Sequence, residues 1–528
     1  MRQVASSSFR PASFGASLPA PVGGWNARDP IASMPPMDAI FLDNFFPRPG
    51  DVILRKGSSQ YAVLPTGRIR ALLPYNKADG TTKFFAADDS GLYDVTSGGT
   101  ASVVASAATN GAWESVNIST AGGHFLWCCN GVNKSRYFNG TTWTVLDGAS
   151  TPALTGITSE NITHISLHKS RLYLVGKNSL SFWYLPVNSV AGAAAEFPLG
   201  AVFRHGGYLV ATGSWTLDGG NGPEDYFVAV TSEGEVAIYS GIDPSNAATW
   251  ALQGVYMIGR PIGRRCLINF GGDLLLLTVR GLFPLSKALQ SATVDIRSAV
   301  SDKILNAWTE YADAYKGLFG WQPILCPELS SLWVNVPIRY DAANGVIDGY
   351  QFVLNTQTGS WCRFTGMSAE CWAYREGRLY FARHNKVYLA WEGGSDVDGA
   401  PIQAAVKTAF LYPAGRGNTA QVKLVKPIFS TNGGGVNFQL GIDHDYTQNE
   451  LSSGQVTYLQ DGSFWDQATW GQSYWENNDF NLSTLIAQWK SISHYPGRAL
   501  ALRLRLSSKG VSMAWTATDF VLQKGGMM

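Results

Sequence analysis

"HFLWCCNGVNKSRYFNGTTWTVL", residues 124–146, decides the fold class. Aromatic and branched residues fill its three short runs, and Asn and Gly fill the joints between them. That is hairpin chemistry: pleated, half-buried surfaces favour such side chains, and tight reversals need residues that tolerate positive φ. The same grammar returns in "KFFAADDSGLYDV" (83–95), "RLYLVGKNSLSFWYL" (171–185) and "DYFVAVTSEGEVAIYSG" (225–241). It continues in "DLLLLTVRGLFPLS" (273–286), "SLWVNVPIRYDAANGVIDGYQFVLNTQTGSWCRF" (331–364) and "RLYFARHNKVYLAW" (378–391). These seven units recur roughly every 40 to 60 residues, the spacing of multi-stranded repeats that bury their faces against one another. The expectation is a mainly β chain with a β-propeller-like body over residues 61–398. About seven degenerate blades are expected; five to eight fit the spacing, and a stack of sandwiches is the rival architecture.

One segment breaks the strand rhythm. In "SAVSDKILNAWTEYADAYKGLFGW" (298–321), Ile304, Trp308, Tyr311, Ala312 and Tyr315 fall on one helical face. Ser301 is the expected N-cap and Gly317 the expected stop, which gives a helical insertion at about 298–318, packed on a blade. Beyond Gly399, "AQVKLVKPIFS", "VNFQLGIDHDY", "ALALRLRLSS" and "VSMAWTATDFVLQ" alternate with period two, so 399–528 reads as a β-sandwich-like domain. Leu500, Leu502, Leu504 and Leu506 are expected on its buried face, with Arg503 and Arg505 opposite. Between these strands Trp465, Trp470 and Trp475 recur every fifth residue among Gln, Asn and Asp. That spacing suits neither helix nor strand. It fits a loop capping the sandwich or a docking surface, since Trp is a common interface anchor.

The opening 1–60 has no lasting period. "GGWNARDPIASMPPMDAIFLDNFFPRPGDVILRKG" (23–57) holds five prolines, with Trp25, Phe41, Phe45 and Phe46 among turn residues. It reads as an irregular arm or platform whose aromatics are candidate contacts to a neighbouring subunit or partner.

A length of 528 residues suggests two to four domains. Charged residues are only 15%, against a typical ~25%. There are 18 Trp, and low charge with many aromatics suits a surface largely covered by other subunits. A net charge of +1 argues against strong non-specific nucleic-acid binding, which needs a basic excess, but not against a conduit along which DNA slides. The six cysteines are scattered without a CxxC spacing and read as buried thiols. The first residues carry no apolar signal core, and no window of about 20 apolar residues offers a membrane helix.

Candidate chemistry is sparse. Asp218, Glu224 and Asp225 share a Gly-rich loop, and "DVDGAP" (396–401) and "DHDY" (443–446) also gather carboxylates. Calcium wants such oxygens, but the order of an EF-hand loop is absent, so turns are the expectation. His164 and His168 stand four apart in a branched, strand-like context, which argues against a zinc pair. No phosphate-loop, dinucleotide, HExxH or GxSxG motif occurs. No catalytic, cofactor-binding or metal residue is therefore assigned, although a pair of carboxylates about 5–10 Å apart in space would escape such a reading. Arg264, Arg265 and Arg280 fit either a DNA-facing surface or ion pairs at subunit contacts.

Three long strings carry a resemblance: "APVGGWNARDPIASMPPMDAIFLDNFFPRPGDVILRKG" (20–57), "NGPEDYFVAVTSEGEVAIYSGIDPSNAATWALQGVYMIGRPIGRRCL" (221–267) and "LALRLRLSSKGVSMAWTATDFVLQKGG" (500–526). The chain resembles the tail nozzle proteins, also called tail tubular or tail hub proteins, of short-tailed bacteriophages (podoviruses). The resemblance implies a structural virion protein with a propeller-like body. Six copies would form a ring below the portal and adaptor, close the tail until infection and then conduct the genome during DNA ejection. It implies tail fibres or spikes docked nearby, viral double-stranded DNA passing without sequence-specific contacts, no cofactor, and assembly in the bacterial host cytoplasm. It also suggests that the aromatic N-terminus clamps a neighbouring subunit or the adaptor. Two other classes stand beside it. A virion-associated propeller glycoside hydrolase or depolymerase would need converging acids in the funnel. A propeller lectin binding surface polysaccharide would need near-identical pockets in every blade.

Overall fold

In the second hairpin unit, Glu114–Thr120 runs antiparallel to Gly123–Cys129, with Thr120 opposite Gly123 at the reversal. Gly123 takes φ +128°, where a Cβ is strained. The reversal between Arg136–Phe138 and Trp143–Val145 is held by Asn139, whose Oδ1 accepts from the backbone N–H of Thr141 and Thr142 at 2.9 and 2.8 Å. Local turn chemistry thus sets each hairpin. The computed structural model describes residues 13–106, 108–218, 223–288, 296–341, 346–432, 436–447, 456–457, 484–492 and 495–527. Its two compact units are residues 59–352 with 366–390, and residues 1–58 with 353–365 and 391–528.

The larger unit is a seven-bladed β-propeller. Blade 1 is Ala71–Asn76, Thr82–Ala87, Gly91–Asp94 and Ser102–Ser106. Blade 2 follows with Glu114–Thr120, Gly123–Cys129, Arg136–Phe138 and Trp143–Val145. Blade 3 is Ile162–His168, Arg171–Gly176, Ser181–Tyr184 and Ala195–Pro198. Blade 4 is Leu209–Asp218, Pro223–Thr231, Glu235–Gly241 and Trp250–Met257. Blade 5 has, among the described residues, three strands, Leu267–Phe270, Asp273–Thr278 and Gly281–Pro284. Blade 6 is built on Gln322–Cys326, Ser331–Asp341 and the strand Val346–Asn355 up to Phe352. Blade 7 joins Cys371–Arg375, Arg378–Arg383 and Lys386–Ala390 to Ser58–Val63 from the beginning of the chain. The first strands of successive blades neighbour one another all the way round, from Ala71–Asn76 to Cys371–Arg375 and back. The last blade is therefore closed by an early strand, which ties the two ends of the propeller sequence together.

Blades are buried on both faces, and this explains their continuous apolar runs. In blade 1, Leu72, Phe84 and Ala86 pack toward Tyr380 and Val387 of blade 7. Their neighbours Leu73, Phe85 and Ala87 pack toward Leu126 and Phe138 of blade 2. Each alternate residue thus enters a different interblade core, as in any sheet covered on both sides. Between blades 3 and 4, Tyr173 meets Phe227 at 4.4 Å and Phe197 meets Tyr239 edge-on at 5.8 Å.

The expected helix is Leu305–Tyr315, entered through a short 3₁₀ turn, Asp302–Ile304. Trp308 is fully buried, donates its indole N–H to Thr278 O at 3.0 Å and touches Phe352. The helix thus packs beside blade 5. Ser301 does not cap it with its side chain; its Oγ accepts instead from Leu282 N at 3.0 Å.

The second unit is a β-sandwich, and it corrects the expected boundaries. One sheet runs Phe45–Pro47, Val52–Leu54, Met513–Met527, Asn418–Thr431, Thr484–Ala487, with Ser13–Pro19 also paired to Met513–Met527. The other includes Trp361–Phe364, Asp38–Asp43, Ile402–Thr408, Leu500–Ser508 and Asn437–His444 in that order. Phe429 of the first sheet meets Phe438 of the second edge-on at 5.2 Å. The expected arm over 1–60 is thus corrected for its described residues 13–57: strands at Ser13–Pro19, Asp38–Asp43, Phe45–Pro47 and Val52–Leu54 complete both sheets. Residues 353–365 and 391–398, expected in the propeller, belong to the sandwich unit. The four leucines at 500, 502, 504 and 506 are buried as expected, and Arg505 is exposed. Arg503 departs from the pattern and is buried, 3.8 Å from the carboxylate of Asp443. Among the described residues no helix is long and apolar enough to cross a membrane.

Candidate functional site

Arg264 and Arg265 lie on the segment entering blade 5, yet their side chains serve blades 1, 2 and 3. Arg264 donates Nη1–H to Asn130 O and Thr163 O, both at 3.1 Å, Nε–H to Glu114 Oε1 at 3.1 Å, and Nη2–H to Ala112 O. Arg265 donates Nε–H to the same Glu114 oxygen at 2.9 Å and Nη2–H to Trp113 O and Arg70 O at 2.9 and 3.3 Å. Its guanidinium also lies over the Phe319 ring, 5.1 Å from the centroid. Blade 5 neighbours blades 4 and 6 in the ring, so these side chains cross the propeller axis. Arginine suits the task because its planar fork satisfies several carbonyls at once.

Electrostatics holds the cluster together. Burial alone would raise the Glu114 carboxyl, but the adjacent Arg265 and Arg264 guanidinia keep it below its usual range. Burial lowers His164, which donates Nε2–H to Thr212 O at 3.0 Å and stays neutral. Arg264 has its hydrogens committed to carbonyls and Glu114, so the pair meets an acid inside its own propeller rather than at a subunit contact. Arg280 is exposed at the turn before Gly281–Pro284.

Other sequence candidates fall apart as sites. His164 and His168 lie on one strand, and each reaches blade 4, His168 through Nδ1 to Ser214 Oγ at 2.8 Å. Glu224 accepts from Tyr226 Oη at 2.5 Å and Asp225 from Thr216 Oγ1 at 2.6 Å; the side chain of Asp218 lies outside the described residues. Asp396 pairs with Arg55 at 2.6 Å, and Asp443 with Lys407 at 2.8 Å. Among the described residues no group of three His, Cys, Asp or Glu side chains gathers as metal ligands would. All six cysteines are free and buried.

The candidate partner contacts in the N-terminal segment are corrected. Trp25, Phe45 and Phe46 are buried within the sandwich unit and offer no surface to a partner, while Phe41 is half-buried. Phe45 faces Trp515, and Phe46 meets Phe364 and Trp391. Trp25 lies under Arg363, which itself holds Asp43 through two bonds of 2.8 Å. The physical reason is intrachain sheet pairing: strands this short have no readable period until their partners are known. Trp465, Trp470 and Trp475 lie outside the described residues. The axial cluster escaped the sequence reading because its members are separated by about 150 positions. The doublet of arginines in a Gly-rich turn was its only signal.

No family model matches the chain, and no curated protein matches it. Among solved structures, YCF48 bound to D1 peptide is 12% identical, with 68% of this chain and 98% of that one covered at a TM-score of 0.37. The Neurospora crassa Pan2 WD40 domain is also 12% identical, with 63% and 89% covered at a TM-score of 0.31.

Proposed function

We propose that this chain is a structural component of a short bacteriophage tail, six copies of which form a nozzle below the portal and adaptor. In this reading the ring retains the packaged genome and conducts DNA during ejection, and the chain is not an enzyme. It acts in the virion tail after assembly in the host cytoplasm, with fibres or spikes docked near the adaptor.

The observation that carries the reading is where the resembling strings fall. Residues 20–57 and 500–526, from the two ends of the sequence, supply paired strands of one sandwich, with Val52 opposite Trp515 and Ile53 opposite Ala514. Residues 221–267 supply most of blade 4 and both axial arginines. The strings therefore specify the frame of each unit rather than a reactive cleft, as a building block requires. With its own axis crossed by Arg264 and Arg265, the propeller is not the conduit in this reading; DNA passes between copies. Low charge and many aromatics suit copies that cover one another.

The test is the mass of the purified protein, alone and mixed with a portal–adaptor assembly, followed by imaging. A six-fold ring stacked on the adaptor is expected. A monomer that ignores the adaptor and degrades a polysaccharide would overturn the reading in favour of a hydrolase.

A further inference from the structure

A groove of about 440 Å³ lies on the sandwich sheet that holds Leu500–Ser508, on the face turned away from the core. Its size falls within the range of ligand sites, about 300–1,000 Å³. Strand register accounts for it. Asp43, Ala405, Arg505 and Gln439 pair in one row across four neighbouring strands, so their side chains share a face. Leu504 and Leu506, on either side of Arg505, are buried on the opposite face. Ala405 is the smallest side chain of the row and leaves a hollow between Asp43 and Arg505. Gln403 and Ser507 pair in the next row on the same face and extend the lining.

Most of this lining is uncommitted. Asp43 is the exception, since Arg363 holds both of its oxygens at 2.8 Å. Arg505 is exposed, and no described residue accepts a hydrogen bond from its side chain or pairs with its charge. Lys407, two residues from Ala405 on the same face, is by contrast paired with Asp443 at 2.8 Å. Gln439 makes no side-chain hydrogen bond to a described residue, and Gln403 commits only Nε2, which donates to Ser507 Oγ at 2.8 Å. Among the described lining residues the one aromatic, Phe438, is 1% exposed and meets Phe429 inside the sandwich, so the groove offers no ring to stack on.

The chemistry of the occupant follows from these groups. The planar fork of Arg505 matches a carboxylate, which it can hold through two parallel bonds. Two amides and a hydroxyl can each donate and accept, and hydroxyl groups on a ligand do the same. No apolar recess for a peptide side chain accompanies them. We propose that this groove binds an acidic oligosaccharide, with a uronate carboxylate on Arg505 and sugar hydroxyls on Gln403, Gln439 and Ser507. The site goes beyond the tail role and does not rest on it.

Calorimetric titration of the full chain with trigalacturonate at constant ionic strength tests this. Saturable binding is expected. Maltotriose, which has the hydroxyls without the carboxylates, and triglutamate, which has the carboxylates without the hydroxyls, should each bind about ten-fold more weakly or less. Arg505→Gln should weaken trigalacturonate binding about ten-fold or more, because bonds between charged groups are strong ones. Arg498→Gln, which removes an exposed arginine outside the groove, should leave it unchanged. Circular dichroism checks that both variants remain folded. No saturable binding of trigalacturonate to the unaltered chain overturns the proposal. So does equal binding of maltotriose or triglutamate, unchanged binding in Arg505→Gln, or an equal loss in Arg498→Gln.

Discussion

Arg55 and Asp396, 341 positions apart in the chain, meet at 2.6 Å inside the sandwich unit, and the arginine side chain is wholly buried. Arg55 also donates Nε–H to Asn44 Oδ1 at 2.7 Å and Nη2–H to Thr365 O at 2.8 Å. Three separated segments of the unit, around 44–55, 365 and 396, converge on one guanidinium. Asp396→Ala leaves that charge buried without its counter-ion, a loss of about 3–5 kcal/mol. Urea unfolding should show it as a lower midpoint. Arg55→Met with Asp396→Ala together should cost less than Asp396→Ala alone, because no uncompensated charge remains.

Removal of residues 1–57 should unfold the sandwich unit, not merely weaken assembly, because strands on both of its sheets would be lost. Limited proteolysis should then cut freely within 399–528. A folded, protease-resistant truncation would contradict the observed pairing. Within the same segment, Phe45→Ala empties a fully buried site and should cost about 3–5 kcal/mol in chemical denaturation.

Glu114→Ala leaves Arg264 and Arg265 facing each other beside the propeller axis. A loss of about 3 kcal/mol or more is expected from the uncompensated guanidinia. Glu114→Gln keeps an acceptor oxygen but not the charge and should fall between the unaltered chain and Glu114→Ala. Thermal melts of both variants at pH 7 and low salt check the order.

Two buried groups give opposite pH dependences. Burial pushes His168 down to about 4, below its unfolded value of 6.5. Its contribution is full above pH 6.5 and is lost as pH falls toward 4, on the order of 3 kcal/mol. Burial pushes the Glu370 carboxyl up to about 7, from 4.5, despite Arg68 beside it. The protonated form is thus favoured in the fold, and that contribution disappears as pH rises from 4.5 through 7. Melting curves from pH 4 to 8 should flatten on the acid side in His168→Gln and on the neutral side in Glu370→Gln. An unchanged acid limb in His168→Gln would remove this histidine from the account.

Much of the propeller is legible before folding, because hairpins are local. Asn139 and Gly123 set their turns through contacts within a few residues, and runs such as 83–95 announce strands covered on both faces. The helix is equally local, since Ile304, Trp308 and Ala312 repeat at its period and all three are buried. The axial cluster is not local. Nothing near Arg264 or Arg265 in the sequence says that Glu114, some 150 positions earlier, lies between them.

By itself, then, the sequence determined the hairpin grammar, the approximate number of blades, the helix and the alternating strands of the sandwich, because turn chemistry and hydrophobic period act over a few residues. Only the tertiary structure decided that the opening segment belongs to the sandwich, that Ser58–Val63 closes the last blade, and that Arg55 and Asp396 are partners. Those outcomes depend on which distant edge a short strand pairs with. The free energy of that choice resides in the hydrogen bonds and buried area of the assembled sheet, not in the strand that makes it.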